Sequence, residues 1–445
     1  MTGTRTWRGL RYATAPHRFA RPVLAPLVTT PEPGGRFSAP PVQRLPESFG
    51  DIETTEDSYF LNIWAPAGEG PHKVIVYVYG GGFEGGWAAA PWLEGAALSE
   101  AADAVVVTLD HRVGALGWAQ LAQHGGLLRE ASNLGLHDVL RALQWVQTSI
   151  DRFGGDPDQV TLSGSSSGAF IATSLLAVPE ARGLFRRLAA FSGGASRVVP
   201  LATAEAIGDS ILEGLGLGDD PDRILAADAS SILNAQAAVI PQEIGRRNGR
   251  VPYAFGVVDD AGTAAATLSR HPMAAIVAGE ASDIPVWFAT TRHEVATLRR
   301  PGFEPRSTAE LEAEVEGIAG PVAHRVLAAY VGDDAQRREQ LFSDYIYRLP
   351  AARAAFAQAA AGGRATLVDI GPADTERAGH GAEAAGAFAH PRNDRDTELL
   401  DAYLAFLSGG TASPGSVHRI SVGKADPALL DGTDLTDLWT GVERP

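Results

Sequence analysis

The sequence of 445 residues predicts an α/β fold with a large, mainly parallel central sheet and helices on both of its faces. Short apolar, β-branched runs recur along the chain, and helical patterns such as 133–148 separate several of them, as expected for strands covered on both faces. A Gly-x-Ser-x-Gly pattern joins one such run to a helical one at 164–168. Reactive polar residues follow the ends of several runs, where open α/β sheets bind ligands.

The predicted strands are short and apolar. In chain order they are Val74–Tyr79, Ala104–Asp110, Val160–Ser163, Leu188–Phe191, Val286–Ala289 and Thr366–Ile370. Between the fourth and fifth strands, the sequence of 200–283 predicts helices and loops, with helices at Thr203–Leu215 and Asp222–Ala238. Between the fifth and sixth strands, the sequence of 308–363 predicts further helices. No Pro- or Ser-rich linker isolates either stretch. We therefore expect one catalytic domain, 1–445, with helical insertions at about 200–283 and 308–363 that cover the site.

The strand at 160–163 leads into Gly164-Ser165-Ser166-Ser167-Gly168 and then an apolar helical run. This order of strand, sharp turn and helix is typical of a nucleophile elbow, which would place Ser166 at its tip. A Cβ at either glycine would collide with neighbouring backbone in so tight a turn. The structural alternative is a Gly/Ser linker in a chain with 50 glycines, but the flanking strand and helix favour the elbow.

The strand at 74–79 ends in three consecutive glycines, 80–82. Backbone N–H groups of glycine can turn toward a carbonyl oxygen without steric penalty and stabilise the oxyanion of a tetrahedral intermediate. The expected donors are the N–H groups of Gly81 and Gly82, with that of Ser167, the residue after the nucleophile. A glycine-rich turn between core strands is the alternative.

With these motifs in place, the chain resembles the type-B carboxylesterase and cholinesterase family of α/β-hydrolases, in particular bacterial para-nitrobenzyl-esterase-like members. Five segments are similar to family patterns in the same order: 7–13 (F-x-G-I-P-Y-A), 56–64 (E-D-C-L-Y-L-N-V-W), 111–117 (Y-R-V-G-A-L-G), 133–138 (N-x-G-L-x-D) and 153–157 (F-G-G-D-P). The family elbow is Gly-Glu-Ser-Ala-Gly, so Ser166 matches its nucleophile, whereas Ser165 and Ser167 depart from it.

The resemblance also implies the other two members of a catalytic triad. Residues 290–294 are similar to the family pattern G-T-x-x-D-E, which puts the acid at Glu294, and residues 378–383 are similar to A-x-H-G-x-E, which puts the base at His380. The order Ser, acid, His is that of this fold. His293 is the rival base, at a position where the family has a variable or acidic residue. The pattern F-x-x-A-I-x-x-S-G over 185–193 implies Ser192 as a hydrogen-bond partner of Glu294.

Further features follow from the same resemblance. It implies two ion pairs, Arg112 with Asp138 and Arg18 with Glu56. Ser165 stands where the family has Glu, and we expect this change to remove one carboxylate, and its repulsion of the triad acid, from beneath the site.

Composition narrows the class of protein. A net charge of −16 argues against nucleic acid and against anionic membrane surfaces. The absence of cysteine excludes disulfides and thiol catalysis. The N-terminal residues 1–11 contain no apolar signal region, and no run reaches the length of a membrane-spanning helix. We expect a cytoplasmic monomer or weak homo-oligomer whose partner is a small-molecule ester, with no metal and no cofactor, since the motifs for these are absent too.

Substrate scope is predicted from aromatic residues near the glycine loop and the elbow. The candidates to line an ester pocket are Phe83, Trp87, Trp92, Trp118 and Phe170, and each is an equally good candidate for the core. The region 46–55 contains no Trp that could bind a choline cation, which argues against a choline ester.

The predicted function is a serine carboxylic-ester hydrolase that acts through an acyl-enzyme on a small to medium, largely apolar ester. Because fold and triad do not fix the reaction, a non-hydrolytic acyl transferase or cyclase of a biosynthetic pathway is the alternative. A non-catalytic binding protein is a third interpretation, which the complete set of triad residues disfavours.

Overall fold

The structure is a computed structural model, and it describes residues 3–26, 29, 32–240, 254–297, 305–374, 376–410, 412–425 and 430–442. The strands are β1 Thr4–Arg11, β2 Ala13–Thr14, β3 Val23–Leu24, β4 Gly34–Gly35, β5 Phe60–Pro66, β6 His72–Val78, β7 Ala104–Leu109, β8 Gly155–Ser165, β9 Arg187–Phe191, β10 Val198–Pro200, β11 Val257–Asp259, β12 Val286–Thr291, β13 Arg364–Ile370 and β14 Ser416–Val422.

The α-helices flank these strands in the chain. They are α1 Ala96–Ala102, α2 Gly114–Trp118, α3 Leu134–Ser149, α4 Ser167–Ser174, α5 Leu201–Gly214, α6 Ala229–Val239, α7 Pro272–Val277, α8 Thr308–Ala319, α9 Ala323–Ala328, α10 Asp334–Ser343, α11 Leu349–Ala360, α12 Ala384–Ala387, α13 Asp394–Leu407 and α14 Gly432–Leu438. A π-helical turn, Asp344–Arg348, connects α10 to α11.

Ten strands form one sheet in the order β14-β13-β12-β9-β8-β6-β7-β5-β1-β4. From β14 to β7, every neighbouring pair is parallel. The antiparallel pairs, β7 with β5 and β5 with β1, lie toward one edge. The predicted mainly parallel sheet is therefore confirmed, and the carboxyl ends of its central strands meet on one side.

Both faces of the sheet are covered, which explains the apolar runs in the sequence. Along β6, Val74, Val76 and Val78 pack into one hydrophobic cluster, whereas Ile75 and Tyr77 pack into the other. This alternation is that of a strand with a helical layer on each side. Helices α3, α4 and α11 contribute to the first cluster, and α1 and α13 contribute to the second.

Some predicted boundaries are wrong. The predicted helix 222–238 is a 3₁₀ stretch, Pro221–Ala226, followed by α6, because Asp228 between them is extended with φ −62° and ψ 137°. Helix α11, at the end of the predicted insertion 308–363, packs against β12 and β13 and so belongs to the layer that covers the sheet. Residues 241–253 of the predicted insertion 200–283 lie outside the described residues. The sequence analysis did not predict two strands, β14 at one edge of the sheet and β1 next to the opposite edge strand β4, since their side chains are only partly buried.

Candidate active site

Ser166 lies at the sharp turn between β8 and α4, with φ 55°, a left-handed value that non-glycine residues rarely adopt. The turn is tight because backbone crosses backbone there. A Cβ on Gly168 would lie 2.1 Å from the carbonyl oxygen of Val78, and one on Gly164 would lie 2.6 Å from the carbonyl of Gly168. Both glycines of the motif are therefore required by sterics, and the strained turn exposes the Ser166 side chain at the end of the sheet.

His380 joins Ser166 to Glu294 through two hydrogen bonds. Its Nε2 lies 2.9 Å from Ser166 Oγ, and its Nδ1 lies 2.6 Å from Glu294 Oε2. A carboxylate can only accept, so Nδ1 carries the hydrogen and Nε2 is free to accept from the serine hydroxyl. The Glu294 side chain is fully buried and that of His380 is 13% exposed. The three residues that the resemblance implies as a triad are far apart in the chain, and the structure brings them into contact.

The pKa of His380 is set by opposing effects. Burial lowers the pKa of the imidazole, but the hydrogen bond and negative charge of Glu294, with a further contribution from the charge of Glu383, outweigh burial and raise it above its ordinary value. Arg197 acts in the opposite direction, lowering this pKa through its positive charge. The imidazole is thus poised to take up a proton.

Glu294 is held by Thr291 and not by Ser192, which corrects the sequence-based expectation. The backbone N–H of Thr291 donates to Glu294 Oε1 at 2.9 Å. Ser192 is buried and its N–H donates to Ala289 O at 2.7 Å, but its Oγ has no hydrogen-bond partner in the described part of the chain. The sequence Thr-x-x-Glu at 291–294 matches that of a capping box. Of the two hydrogen bonds of that motif only the one from the backbone N–H of Thr291 to Glu294 is present, since Thr291 Oγ1 has no partner in the described residues. That local signal could have identified Thr291.

The glycine loop lies against the nucleophile. Gly81 and Gly82 have φ values of 153° and 67°, and both line the same cavity as Ser166. Their N–H groups donate to no backbone carbonyl within the described ranges. Ser167 is the first residue of α4, where an N–H has no acceptor within the helix. All three predicted donors therefore belong to the backbone that surrounds Ser166.

A cavity of about 830 Å³ opens onto Ser166 and His380. Of the five aromatic candidates, only Trp92 lines it. For the other four the pocket prediction is wrong and the alternative, a place in the core, is correct. Phe83, Trp87, Trp118 and Phe170 are 1%, 7%, 2% and 0% exposed, and the Phe83 and Trp118 rings meet edge to face at 4.9 Å.

Other side chains form the wall. The described residues that line the cavity are Arg44, Pro46, Tyr77, Gly80, Gly81, Gly82, Glu84, Gly85, Trp92, Leu93, Ser165, Ser166, Arg197, Thr297, Tyr347, His380, Gly381, Glu383 and Ala384. Trp92 is 49% exposed, and its ring contacts Phe49 and Trp87. The Tyr347 ring lies 4.9 Å from that of His380. Tyr347 lies on the π-helical turn, whose position no local pattern in the sequence indicated.

Two other features, a metal-binding cluster and a membrane-spanning helix, are absent from the described residues. In the ranges that the structure describes, no three or more His, Cys, Asp or Glu side chains are grouped so that they could hold a metal ion. Within the same ranges, no helix has the length and apolar character needed to cross a membrane.

Comparison with known proteins identifies the family. The model of the carboxylesterase family matches residues 1–346. The chain belongs to the carboxylesterase family. Among relatives of this carboxylesterase-family protein, the para-nitrobenzyl esterase of Bacillus subtilis (strain 168) is 31% identical over 368 residues, which are 80% of this chain and 73% of that protein.

Solved structures agree with this assignment. A thermophilic para-nitrobenzyl esterase aligns with a TM-score of 0.82 and 25% identity over 98% of this chain and 96% of that one. The carboxylesterase of Geobacillus stearothermophilus aligns with a TM-score of 0.80 and 29% identity over 93% of this chain and 88% of that one. The fold is therefore the α/β-hydrolase fold that the motifs indicated, and the family and these relatives support a serine ester hydrolase.

Proposed function

We propose that this protein hydrolyses carboxylic esters through an acyl-enzyme formed on Ser166. The observation that carries the proposal is the unbroken line of hydrogen bonds from Ser166 Oγ through His380 to Glu294, at 2.9 and 2.6 Å. A nucleophilic serine needs a base within hydrogen-bond reach and a third group that orients the base. This arrangement meets both requirements.

In the first step, Ser166 Oγ attacks the ester carbonyl carbon while His380 Nε2 takes the hydroxyl proton. Glu294 keeps the hydrogen on Nδ1 and stabilises the imidazolium. The negative charge on the carbonyl oxygen is stabilised by the N–H groups of Gly81, Gly82 and Ser167. When the tetrahedral intermediate collapses, the bond to the alkoxy oxygen breaks and His380 donates its proton to the departing alcohol.

In the second step, water attacks the acyl-enzyme. His380 Nε2 takes a proton from the water, a second tetrahedral intermediate forms, and its collapse releases the carboxylic acid and returns the proton to Ser166 Oγ. All proton transfers pass through one imidazole, so a raised pKa of His380 favours the protonated state that each leaving group requires.

The cavity supports an ester of small to medium size that is largely apolar. Its volume of about 830 Å³ lies in the range of ordinary ligand sites, and Trp92, Leu93 and Tyr347 supply apolar wall. The name of the Bacillus subtilis relative supports including para-nitrobenzyl esters among the first substrates tested.

The proposal is tested with a fluorophosphonate probe and a panel of p-nitrophenyl and para-nitrobenzyl acyl esters. We expect labelling and turnover by the wild-type protein and no labelling of Ser166→Ala. Turnover should fall by roughly four to six orders of magnitude in Ser166→Ala and in His380→Ala. Labelling without turnover of any ester would favour an acyl transferase or cyclase. Turnover that survives in Ser166→Ala but not in Ser165→Ala or Ser167→Ala would show that the nucleophile is a neighbouring serine.

A further inference from the structure

The loops that carry Glu294 and His380 come from different strands, β12 and β13, and a cluster of three charged or polar side chains connects them. We propose that Glu339 of α10 is a positioning residue that holds the two loops in register through Arg377 and His293. Arg377 precedes His380 by three residues and His293 precedes Glu294 by one. This inference rests on the proposed function, because its consequence is the distance between the base and its acid.

Arg377 lies at the centre of the cluster. Its Nη2 donates to Glu339 Oε1 in a short hydrogen bond, and its Nη1 donates to Glu339 Oε2 at 3.4 Å. The same Nη2 lies 3.0 Å from His293 Nδ1. A guanidinium can only donate, so Nδ1 accepts and the hydrogen of the imidazole is on Nε2. One side chain of the His380 loop therefore bonds at once to the Glu294 loop and to α10.

Glu339 is the buried member of the cluster, and its carboxylate is not exposed to solvent. Its side chain is 1% exposed, whereas that of Arg377 is 57% exposed. Glu339 Oε1 and His293 Nδ1 lie 3.3 Å apart because both accept from Arg377 Nη2, and His293 is 7% exposed. A buried carboxylate is costly unless it is paired and hydrogen-bonded. The ion pair with Glu339 thus holds the exposed side chain of Arg377 against His293.

The backbone shows what this cluster controls. The N–H of His293 donates to Ala378 O at 2.9 Å, and the N–H of His380 donates to Glu294 O at 3.1 Å. These bonds form a short parallel bridge between the loops, next to the Nδ1 to Oε2 contact of His380 and Glu294. Helix α10 makes a second contact with the Glu294 loop, since Val295 N–H donates to Ser343 Oγ at 3.2 Å. A helix of the predicted insertion therefore supports the triad loops from the side.

A shift of one loop would lengthen the bond between His380 and Glu294. Misplacing a reacting group by about 1 Å costs roughly 100-fold in rate even when the substitution is far from the chemistry. Loss of Glu339 should therefore lower kcat. The effect on KM should be small, because Trp92, Leu93 and Tyr347, which supply the apolar wall of the cavity, lie outside both loops.

The test compares Glu339→Gln with Glu314→Gln. The second substitution breaks another ion pair of α10, in which Arg338 donates to Glu314 at 2.7 and 2.9 Å without a contact in the described residues to either triad loop. With a short p-nitrophenyl ester, at a temperature well below the melting temperature of every variant, we expect Glu339→Gln to lower kcat by about 10- to 100-fold with KM within about twofold. Glu314→Gln should keep the wild-type kcat.

Two further measurements separate positioning from loss of folding. Arg377→Gln, at a half-exposed position, should reproduce the loss of kcat, and the double variant Glu339→Gln/Arg377→Gln should be no slower than the slower single variant, because both break the same connection. Hydrogen exchange of residues 376–384 should be faster in Glu339→Gln than in wild type, a readout that needs no activity.

Any of four results would overturn the proposal. The first two are a wild-type kcat in Glu339→Gln and Arg377→Gln, and equal losses of kcat in Glu339→Gln and Glu314→Gln. The other two are multiplicative losses of kcat in the double variant, and unchanged hydrogen exchange over 376–384. If Glu339→Gln does not fold, Arg377→Gln alone decides by the same criteria. A wild-type protein that neither turns over esters nor reacts with the fluorophosphonate would instead contradict the proposed function, and the exchange measurement would still test the connection between the loops.

Discussion

Ser165 donates a hydrogen bond from Oγ to Glu383 Oε1 at 2.7 Å, directly beside Ser166. The family pattern has Glu at position 165, and the sequence predicted that serine there would leave one carboxylate fewer beneath the site. Next to this position the structure places another carboxylate, that of Glu383, the last residue of the A-x-H-G-x-E match, which is 1% exposed and lines the cavity. Burial raises the pKa of Glu383, with a contribution from the charge of Glu294, while His380 and the hydrogen bond from Ser165 oppose the rise.

Glu383→Gln should move the acidic limb of the kcat/KM profile to lower pH. The negative charge of Glu383 raises the pKa of His380, and the base form of His380 is the one that starts the reaction. Activity appears as the pH rises through that pKa, so removing the charge lets activity appear at lower pH. A pH–rate profile with a neutral ester measures the shift, and a limb that stays in place or moves to higher pH would contradict it.

Ser165→Glu should move the same limb in the opposite direction. The new carboxylate would face Glu383, which now accepts from Ser165, and two adjacent carboxylates cannot both ionise easily. Any negative charge that remains near His380 raises the pKa of the imidazole, so activity should appear at higher pH. Ser165→Ala is the control, since it removes the hydroxyl without adding charge. A folded, active Ser165→Glu variant with an unchanged acidic limb would show that position 165 is electrostatically remote from His380.

Breaking the buried pair of Arg112 and Asp138 should cost about 3–5 kcal/mol in the free energy of unfolding. Arg112 Nε and Nη2 donate to the carboxylate of Asp138 at 2.9 and 2.7 Å, and the two side chains are 4% and 0% exposed. Arg112→Ala would therefore leave a charge buried without a partner. Urea unfolding measures the loss. A cost below about 1 kcal/mol, the value for exposed pairs, would contradict the prediction.

The second predicted pair, Arg18 with Glu56, forms at 2.6 Å but is not buried like the first, since the Glu56 side chain is 38% exposed. Glu56→Ala should therefore cost no more than about 1 kcal/mol. Arg18→Ala should cost more than Glu56→Ala, because Arg18 Nη1 also donates to the carbonyl oxygens of Ile224 and Ala227 at 2.8 and 2.5 Å. Equal losses in the two variants, measured by urea unfolding, would show that these carbonyl contacts contribute nothing.

Trp92→Ala should lower kcat/KM for bulky aromatic esters about 3- to 10-fold more than for an acetate ester. The exposed ring of Trp92 lines the cavity near Ser166, so a large group can pack on it and a methyl group cannot. Phe37→Ala removes another exposed aromatic ring that does not line this cavity, and it should leave the ratio unchanged. An unchanged ratio in Trp92→Ala would mean that substrates do not use this wall.

The sequence by itself determined the elbow and the glycine loop. Both are contiguous, and each requires particular residues for a local steric reason, such as the 2.1 Å approach of a Cβ on Gly168 to Val78 O. The apolar runs likewise determined the parallel sheet, because a strand covered on both faces must be apolar throughout. The positions of Glu294 and His380 came from resemblance to a family, since nothing within the chain links residues so far apart.

Tertiary structure alone decided the surroundings of these residues. Whether an aromatic ring packs in the core or lines the cavity depends on which distant segment covers it. Phe83 and Trp92 both follow β6, yet Phe83 packs in the core and Trp92 lines the cavity. The partner of Glu383 and the connection of Glu339 to both triad loops depend on contacts between segments 38 or more residues apart. Hydrogen bonds and burial depend on which side chains are close in space. A pattern of residue types along the chain indicates only those neighbours that lie within the same turn, strand or helix.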